Sequence, residues 1–361
     1  MGLFGGKPKS YLGIDIGTAG IKMVEIGRED GRPRLLTYAY TERQVDDAAP
    51  GYIDQLDKTA DLLKKMVTKA KAGSKMVISG LPGSSVFSSV ITVPALSGKE
   101  LQAVIETQAT KLIPIPIEEV ILDWKPVTGS TQVKNQPKQV VEQSKTKTMQ
   151  VILTAASKAM VKKYIDIFKK SELKLSSLET EAFALIRSLV GRDKSIIAIL
   201  DVGAVRTNVI IVENGVPVLA RSIALGGMNF TKNISAMLAM DLRSAEQFKR
   251  DTKSIATIFE GGQIPKTLEQ IYVPIGNEVK YSFNLFTGQN KEQKRVEKLI
   301  LTGGSATLPA LASYLTSLLG INAYIGDPFA RVLSHEELRP ILNEIAPRFS
   351  VAVGLAMREF E

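Results

Sequence analysis

Ile14-Asp15-Ile16-Gly17, running on through Val24-Glu25-Ile26, has a second version far down the chain in Leu200-Asp201-Val202-Gly203 through Ile210-Ile211-Val212. Each is an apolar strand carrying an Asp and, two residues later, a Gly, followed by a short turn and a second apolar strand. Strand alternation puts Asp15 with Gly13 and Gly17 on one face, and Asp201 with Gly203 likewise, leaving Ile14, Ile16, Leu200 and Val202 facing inward. Two such hairpins facing each other across a cleft suit a nucleotide. Glycine-bearing turns let the backbone approach an anion, turn N–H groups cradle phosphate oxygens, and two carboxylates hold a hydrated divalent cation. The chain reads first as a nucleotide clamp.

Composition bounds the alternatives. A length of 361 residues suggests two domains or a subdivided pair. The absence of cysteine excludes disulfides, thiolate metal sites and cysteine nucleophiles. The single histidine, His335, follows Ser334, which reads as a helix N-cap, so a surface helix position is expected rather than a catalytic base. A net charge of +9 would suit nucleic acid or an anionic surface, but the lysines are scattered. Lys64, Lys65, Lys69, Lys71 and Lys75, and again Lys162, Lys163, Lys169, Lys170 and Lys174, interleave with apolar residues at helical spacing, as solvated helix faces do. No zinc-finger spacing or RNP-type aromatic motif accompanies them, and no nucleic-acid partner is expected. Residues 1–10 read as a flexible tail without the apolar core of a signal peptide. No segment offers the roughly eighteen apolar residues that span a bilayer, so a cytoplasmic protein reaching the membrane only through partners is expected.

Strands and helices alternate from Arg34 onward in the manner of an α/β layer. A change of texture follows Pro82: a strand at Ser89 to Val93, an amphipathic helix from Gly98 to Leu112, the run Ile113-Pro114-Ile115-Pro116-Ile117, and a strand from Val120 to Trp124. Thr128 to Lys147, polar and poor in large apolar side chains, reads as a mobile loop between strands. After the second hairpin, Gly226 and Gly227 open a helix, helical residues run from Ser244 to Lys253, and a mixed segment extends to Gln293. The final unit is a strand from Lys298 to Leu301, Gly303-Gly304-Ser305, and a helix from Leu308 to Leu319. Small residues at that helix start let a nucleoside lie against the backbone. The C-terminal stretch around Gly354 reads as a packed closing helix.

These residues carry a resemblance. Asp15 to Lys22 resembles the first phosphate motif of the actin-like ATPase superfamily, Asp201 to Thr207 its second, and Leu299 to Ser305 its adenosine motif. Within the superfamily, Lys111-Leu112-Ile113-Pro114-Ile115-Pro116-Ile117-Glu118-Glu119-Val120-Ile121-Leu122-Asp123-Trp124 is similar to the signature of the PilM family of type IV pilus assembly, relatives in fold of the cell-division protein FtsA. The opening Tyr11 to Gly17 through Lys22 to Glu25 is similar as well. The resemblance implies duplicated actin-like, ribonuclease H-like α/β domains. The first would span 11–195, with a 1C-type insertion at about 85–148, and the second 196–361, with an inserted subdomain at about 241–295.

By position, the resemblance further implies ATP and Mg2+ as cofactors, with Asp15 and Asp201 orienting the metal through water. Gly17, Thr18, Ala19 and Lys22 would approach the phosphates from one side, and Gly203 and Ala204 from the other. Gly227, Glu246 and Lys249 would meet ribose and adenine, the last two in a run resembling A-E-x-x-K, and Gly303, Gly304 and Ser305 would back the nucleoside. Glu179 falls near the place that positions water, although an acidic residue at a helix start also serves the helix dipole. Val205 and Arg206 depart from the small residues usual in the second turn, and binding with at most slow ATPase turnover is expected. The implied role is an adaptor that receives the cytoplasmic N-terminal peptide of PilN, an inner-membrane pilus component, in a groove beside the 1C-type subdomain. Alternatives on the same fold are an FtsA-like filament or secretion scaffold that self-associates, and a small-molecule kinase. The kinase lacks any acceptor-pocket carboxylate motif here, and the C-terminus lacks the basic amphipathic helix of FtsA.

Overall fold

The computed structural model describes residues 10–43, 51–127, 147–251, 255–259, 265–289 and 294–360. The chain divides into two compact units, one of Met1–Pro82 with Lys163–Glu361 and a smaller one of Gly83–Lys162. In chain order the strands and helices are β1 (Ser10–Gly17), β2 (Gly20–Glu29), β3 (Arg32–Tyr40), α1 (Leu56–Lys69), β4 (Met76–Leu81), β5 (Val86–Pro94), α2 (Gly98–Leu112), β6 (Val120–Pro126), β7 (Thr148–Ser157), α3 (Lys158–Lys170) and β8 (Lys174–Thr180). They continue with α4 (Glu181–Leu185), β9 (Ile197–Val202), β10 (Thr207–Glu213), β11 (Val216–Ile223), α5 (Gly227–Leu238), α6 (Leu242–Arg250), α7 (Lys266–Gln289), β12 (Lys298–Thr302), α8 (Leu311–Leu319), β13 (Asn322–Ile325) and α9 (Arg339–Met357).

The larger unit holds two five-stranded sheets with the same plan. The first runs β3-β2-β1-β4-β8 and the second β11-β10-β9-β12-β13. In both, an antiparallel three-strand meander is extended by two parallel strands, β4 and β8 in one and β12 and β13 in the other. Parallel neighbours need helical crossovers, which is why helices separate β4 from β8 and β12 from β13 in the chain. The duplication read from the two Asp-x-Gly hairpins therefore extends to whole sheets.

β1 is buried on both faces. A Cβ at Gly13 would lie 2.0 Å from Ala352 O, and one at Gly354 would lie 1.9 Å from Ala184 O. Glycine at these two positions lets α9 press its backbone onto β1 and against α4. The closing helix expected around Gly354 is α9, buried all round from Phe349 to Met357. α4 continues as a π-helical turn over Ile186–Val190. The second sheet has its own core, in which Leu200, Val202, Val209, Phe230, Ile271 and Leu299 are fully buried or nearly so.

The smaller unit is a three-stranded antiparallel sheet, β5-β7-β6, with α2 on one face. α2 has the bounds expected from its periodicity, and Leu101, Ile105 and Ala109 form its buried stripe. Of the loop expected from Thr128 to Lys147, residues 128–146 lie outside the described residues, as do residues 1–9 of the expected tail at 1–10, whose last residue, Ser10, instead opens β1.

Three local expectations are corrected. The segment read as mixed contains a 24-residue helix, α7. Leu268, Ile271, Tyr272, Ile275, Val279 and Phe286 repeat at helical spacing and are buried, while Pro274, Gly276 and Gly288 mask that period in the sequence. Ser334 is not a helix cap: its hydroxyl is buried without a hydrogen-bond partner among the described residues, and His335 precedes a short 3-10 turn at Glu336–Leu338. Glu179 lies within β8, not at a helix start.

Candidate functional site

The two Asp-x-Gly hairpins correspond in pairing register as well as in sequence. Asp15 stands opposite Lys22 across β1–β2, and Asp201 opposite Asn208 across β9–β10. Cross-strand partners share a sheet face, so each carboxylate meets the side chain opposite. Lys22 Nζ lies 3.5 Å from Asp15 Oδ2 and donates to Gly20 O at 3.4 Å. Asn208 Nδ2 donates to Asp201 Oδ2 at 3.2 Å.

The Asp201 carboxylate also senses the Asp15 charge. Burial raises the Asp201 pKa to about 6; Asn208 opposes the shift, the Asp15 charge adds to it, and Lys22 subtracts from it. Asp15, Lys22, Asp201 and Asn208 thus form one electrostatic cluster joining the two sheets. Among the described residues no group of three or more acidic, histidine or cysteine side chains could hold a metal. The donor set fits a hydrated cation brought in by a polyanion and held through its waters by two carboxylates.

The surrounding turns are built from backbone. Thr18 and Ala19 are exposed at the tip of the first turn, and Gly17 stands close to Lys22 Nζ. The second turn is closed by Gly203 N–H donating to Arg206 O at 2.9 Å. Its carbonyls accept from the start of α5, Gly203 O from Gly227 N–H at 3.0 Å and Ala204 O from Met228 N–H at 2.7 Å. Gly303 adopts φ +93°, and a Cβ there would lie 2.4 Å from Asp201 Oδ1. A side chain at 303 would therefore be both strained and in collision with the carboxylate. Ser305 N–H donates to Val202 O at 2.9 Å, and its Oγ lies where a Cβ on Gly227 would project. Gly304 is exposed beside them.

Glu246 and Lys249, one turn apart on α6, are held together rather than free in solvent. Lys249 Nζ donates to Glu246 Oε2 at 2.6 Å, to Thr231 Oγ1 at 2.9 Å and to Gly227 O at 3.2 Å. Thr231 Oγ1 in turn donates to Glu246 Oε2 at 2.5 Å. Burial pulls the Lys249 pKa below its ordinary value against the pull of Glu246. Burial pushes Glu246 up, but Lys249 and the hydrogen bonds from Thr231 and Arg250 bring it below its ordinary value.

The structure thus brings together Asp15, Gly17 and Lys22 with Asp201, and Gly203, Ala204, Gly227, Lys249, Glu246, Gly303 and Ser305 in one connected set. Glu179, on β8, is held by two arginines. Arg187 binds its carboxylate through two hydrogen bonds, at 2.6 and 3.1 Å, and also donates to Gly354 O at 2.7 Å, while Arg358 approaches the carboxylate at 3.6 Å. Arg206 and Val205 are exposed in the second turn.

The sequence model of the family described as type IV pilus assembly protein PilM matches residues 13–360. The chain belongs to the PilM family. In overall fold it is similar to the solved PilM-PilN type IV pilus biogenesis complex, with 26% identity, a TM-score of 0.81, and coverage of 98% of this chain and 100% of that one. It is also similar to the ethanolamine utilization protein EutJ from Carboxydothermus hydrogenoformans, with 14% identity, a TM-score of 0.56, and coverage of 97% of this chain and 89% of that one. Among curated sequences it is similar to the cell division protein FtsA of Bacillus subtilis, at 21% identity over 88% of this chain and 78% of the relative. FtsA of Neisseria meningitidis matches at 23% over 95% of this chain and 88% of the relative. The duplicated sheets are those of the actin-like ATPase fold, as the motifs implied.

In this PilM-family chain the proline-rich signature belongs to the smaller unit. Ile113 and Val120 enter its core, and Leu112, Ile115 and Ile121 are exposed. Sequence reasoning missed Asn208, Thr231, Arg250 and Glu42, which are hydrogen-bonded into the connected set of site residues. Asn208 was legible: it follows Asp201 by seven residues, as Lys22 follows Asp15. Thr231 had the weaker signal of lying one helical turn after Gly227. Glu42 and Arg250 are 208 residues apart, and nothing local marks either.

Proposed function

We propose that this chain is a nucleotide-binding adaptor of the type IV pilus inner-membrane platform, holding Mg-ATP in the cleft between its two sheets and binding the cytoplasmic N-terminal peptide of a PilN-type partner. The observation that carries the reading is the likeness, over nearly the whole chain, to a solved complex of PilM with PilN. The Asp15 and Asp201 cluster supports it chemically. In this reading the two carboxylates hold the metal through water, as a charge anchor for the phosphates. Lys22, the Thr18–Ala19 turn and the Gly203–Ala204 turn enclose the phosphates; Gly227, Glu246, Lys249, Gly303, Gly304 and Ser305 enclose the nucleoside. Residues 11–195 and 196–361 then act as the two jaws, with the 85–148 and 241–295 segments inserted in them.

Slow turnover follows from the same geometry. Glu179 would have to leave the doubly bonded, buried Arg187 guanidinium to orient a water, and breaking such a pair is unfavourable. The cleft then serves as a conformational reporter of the nucleotide rather than an engine. Among the described residues no helix is long and apolar enough to cross a membrane, which supports recruitment to the inner membrane through the partner.

For the peptide, the larger unit offers a groove of about 510 Å³ between α3 and β8, lined by Ile165, Phe168, Leu173, Leu175 and Leu178. β8 is the edge strand of its sheet, and Ile165 is 49% exposed. An extended peptide can add main-chain hydrogen bonds to such an edge and fill apolar pockets with alternate side chains. The test is calorimetric titration of the partner's N-terminal peptide into the protein with and without Mg-ATP. Saturable binding is expected, tightened by nucleotide and weakened about tenfold or more by Ile165→Glu. No binding in either condition contradicts the adaptor reading; unchanged binding in Ile165→Glu contradicts the groove.

A further inference from the structure

A chain of ion pairs links the rim of the first phosphate turn to the helix that carries the nucleoside candidates. The segment after β3 backs that turn closely. Thr41 N–H donates to Ile21 O and Arg43 N–H to Ala19 O, each at 2.9 Å, and a Cβ on Gly20 would lie 2.0 Å from Thr41 O. The Glu42 carboxylate is therefore carried by the turn itself. Arg250, the last residue of α6, donates through Nη1 to Glu42 Oε2, and Arg348 of α9 donates to Glu42 Oε1 at 2.7 Å. Arg250 Nε reaches back to Glu246 Oε1 at 2.9 Å, and Glu246 is bound by Lys249 and Thr231.

The route runs from Ala19 through Glu42, Arg250 and Glu246 to Lys249 and the Gly227 carbonyl, without a break. Its middle pair lies on the surface, with side-chain exposure of 40% for Arg250 and 35% for Glu42. The other end of the route, at Thr231 and Gly227, is buried. Burial lowers the Arg250 pKa, and its hydrogen bonds to the Glu42 and Glu246 carboxylates overcome this and raise it, so the guanidinium is charged at every accessible pH.

We propose that the Glu42–Arg250 pair, with Arg348 of α9 holding the other oxygen of the Glu42 carboxylate, is a latch that holds the two sheets closed over the nucleotide and sets the rate at which the nucleotide leaves. The proposal rests on the nucleotide-binding reading above and adds a regulator that does not touch the ligand. Separating the jaws requires the Glu42–Arg250 contact to break, because Glu42 moves with the first sheet and Arg250 with α6. The latch also couples the two ends of the ligand. Whatever reorders Glu246 and Lys249 is transmitted through Arg250 to the first phosphate turn, and the coupling is reciprocal. Glu42 and Arg250 are positioning residues in this scheme.

Stopped-flow release of a fluorescent ATP analogue, measured in the wild type, Glu42→Gln, Arg250→Gln and the double variant, tests the latch. Release is expected to accelerate about three- to tenfold in each single variant, with no further gain in the double variant, and the wild type should approach the variants' rate in 1 M salt. Amide hydrogen exchange across 242–250 in the nucleotide-free protein gives a second readout, expected to rise in Glu42→Gln. Unchanged release and exchange in Glu42→Gln overturn the latch, as do strictly additive effects in the double variant. Failure of the wild type to bind nucleotide, with exchange still responding to Glu42→Gln, overturns the nucleotide reading and leaves the clasp between the jaws supported.

Discussion

The two hairpins share strand order, register and the Asp-x-Gly signature, yet they solve different physical problems. Asp15 faces a lysine across its strand pair; Asp201, at the equivalent point, faces an asparagine. A carboxylate opposite a cation is compensated within its own hairpin. A carboxylate opposite an amide receives a hydrogen bond but no charge, and burial pushes Asp201 up to about 6. Two residues before each Asp the contrast is steric. Gly13 admits the α9 backbone, whereas Ile199 fills a core with its own side chain. Duplication supplied the frame, and its two copies diverged where each meets its neighbours. The first copy became the seat of the closing helix, and the second keeps a carboxylate in need of a counter-cation.

The sharpest way to break this contrast is to write one copy into the other. Gly13→Ile is expected to destabilise the protein by about 4 kcal/mol or more, seen as loss of a cooperative thermal transition or a large fall in Tm, because the clash is with backbone. Ile199→Ala should cost about 2–4 kcal/mol by opening a cavity. A milder result for Gly13→Ile would mean that α9 does not press on β1.

The electrostatic half of the contrast gives the next effect. With its folded-state pKa raised from 3.8 to about 6, Asp201 binds more protons when folded than when unfolded between about pH 4 and pH 6. Nucleotide-free stability should therefore fall as pH rises through that window and stay low above it. In chelator at pH 7.5, Asp201→Asn is expected to be more stable than the wild type by about 1–3 kcal/mol, with the decline between pH 4 and 6 flattened. Asp15→Asn should not stabilise the protein, since it takes a buried carboxylate away from its own Lys22 partner. Equal responses of the two variants in urea melts would erase the distinction. The smallest change is Asn208→Lys, which copies the first hairpin's cation opposite Asp201. It should move the pH window lower and recover about 1 kcal/mol at pH 7.5.

Much of this was readable from the chain because the decisive signals were local. Asp15 and Asp201 with their glycines, the helix Gly98–Leu112 and the apolar closing segment each show within a dozen residues what they become. α7 was hidden by Pro274 and Gly276, which dilute a helical period that its buried residues nevertheless keep. β13 was too short to stand out, being four residues at a sheet edge. Glu179 was legible as a position but not as a partner, because Arg187 and Arg358 reach it only after the chain folds. Gly13 was read as a companion of Asp15 on its strand face, and the helix that requires a glycine there comes from the far end of the chain. The latch shows the limit most plainly, since Glu42, Arg250 and Arg348 are ordinary surface charges until three distant segments meet.

The central claim is that Asp15 and Asp201 act jointly on one metal–nucleotide ligand. Titration of a fluorescent ATP analogue into the wild type, Asp15→Ala, Asp201→Ala and the double variant, each with Mg2+ and with chelator, tests it most directly. The account expects each single variant to lose nearly all of the Mg2+-dependent affinity, about a hundredfold, and the double variant to lose little more, because one cation is shared. Mg2+-dependent binding that survives intact in either single variant would contradict it.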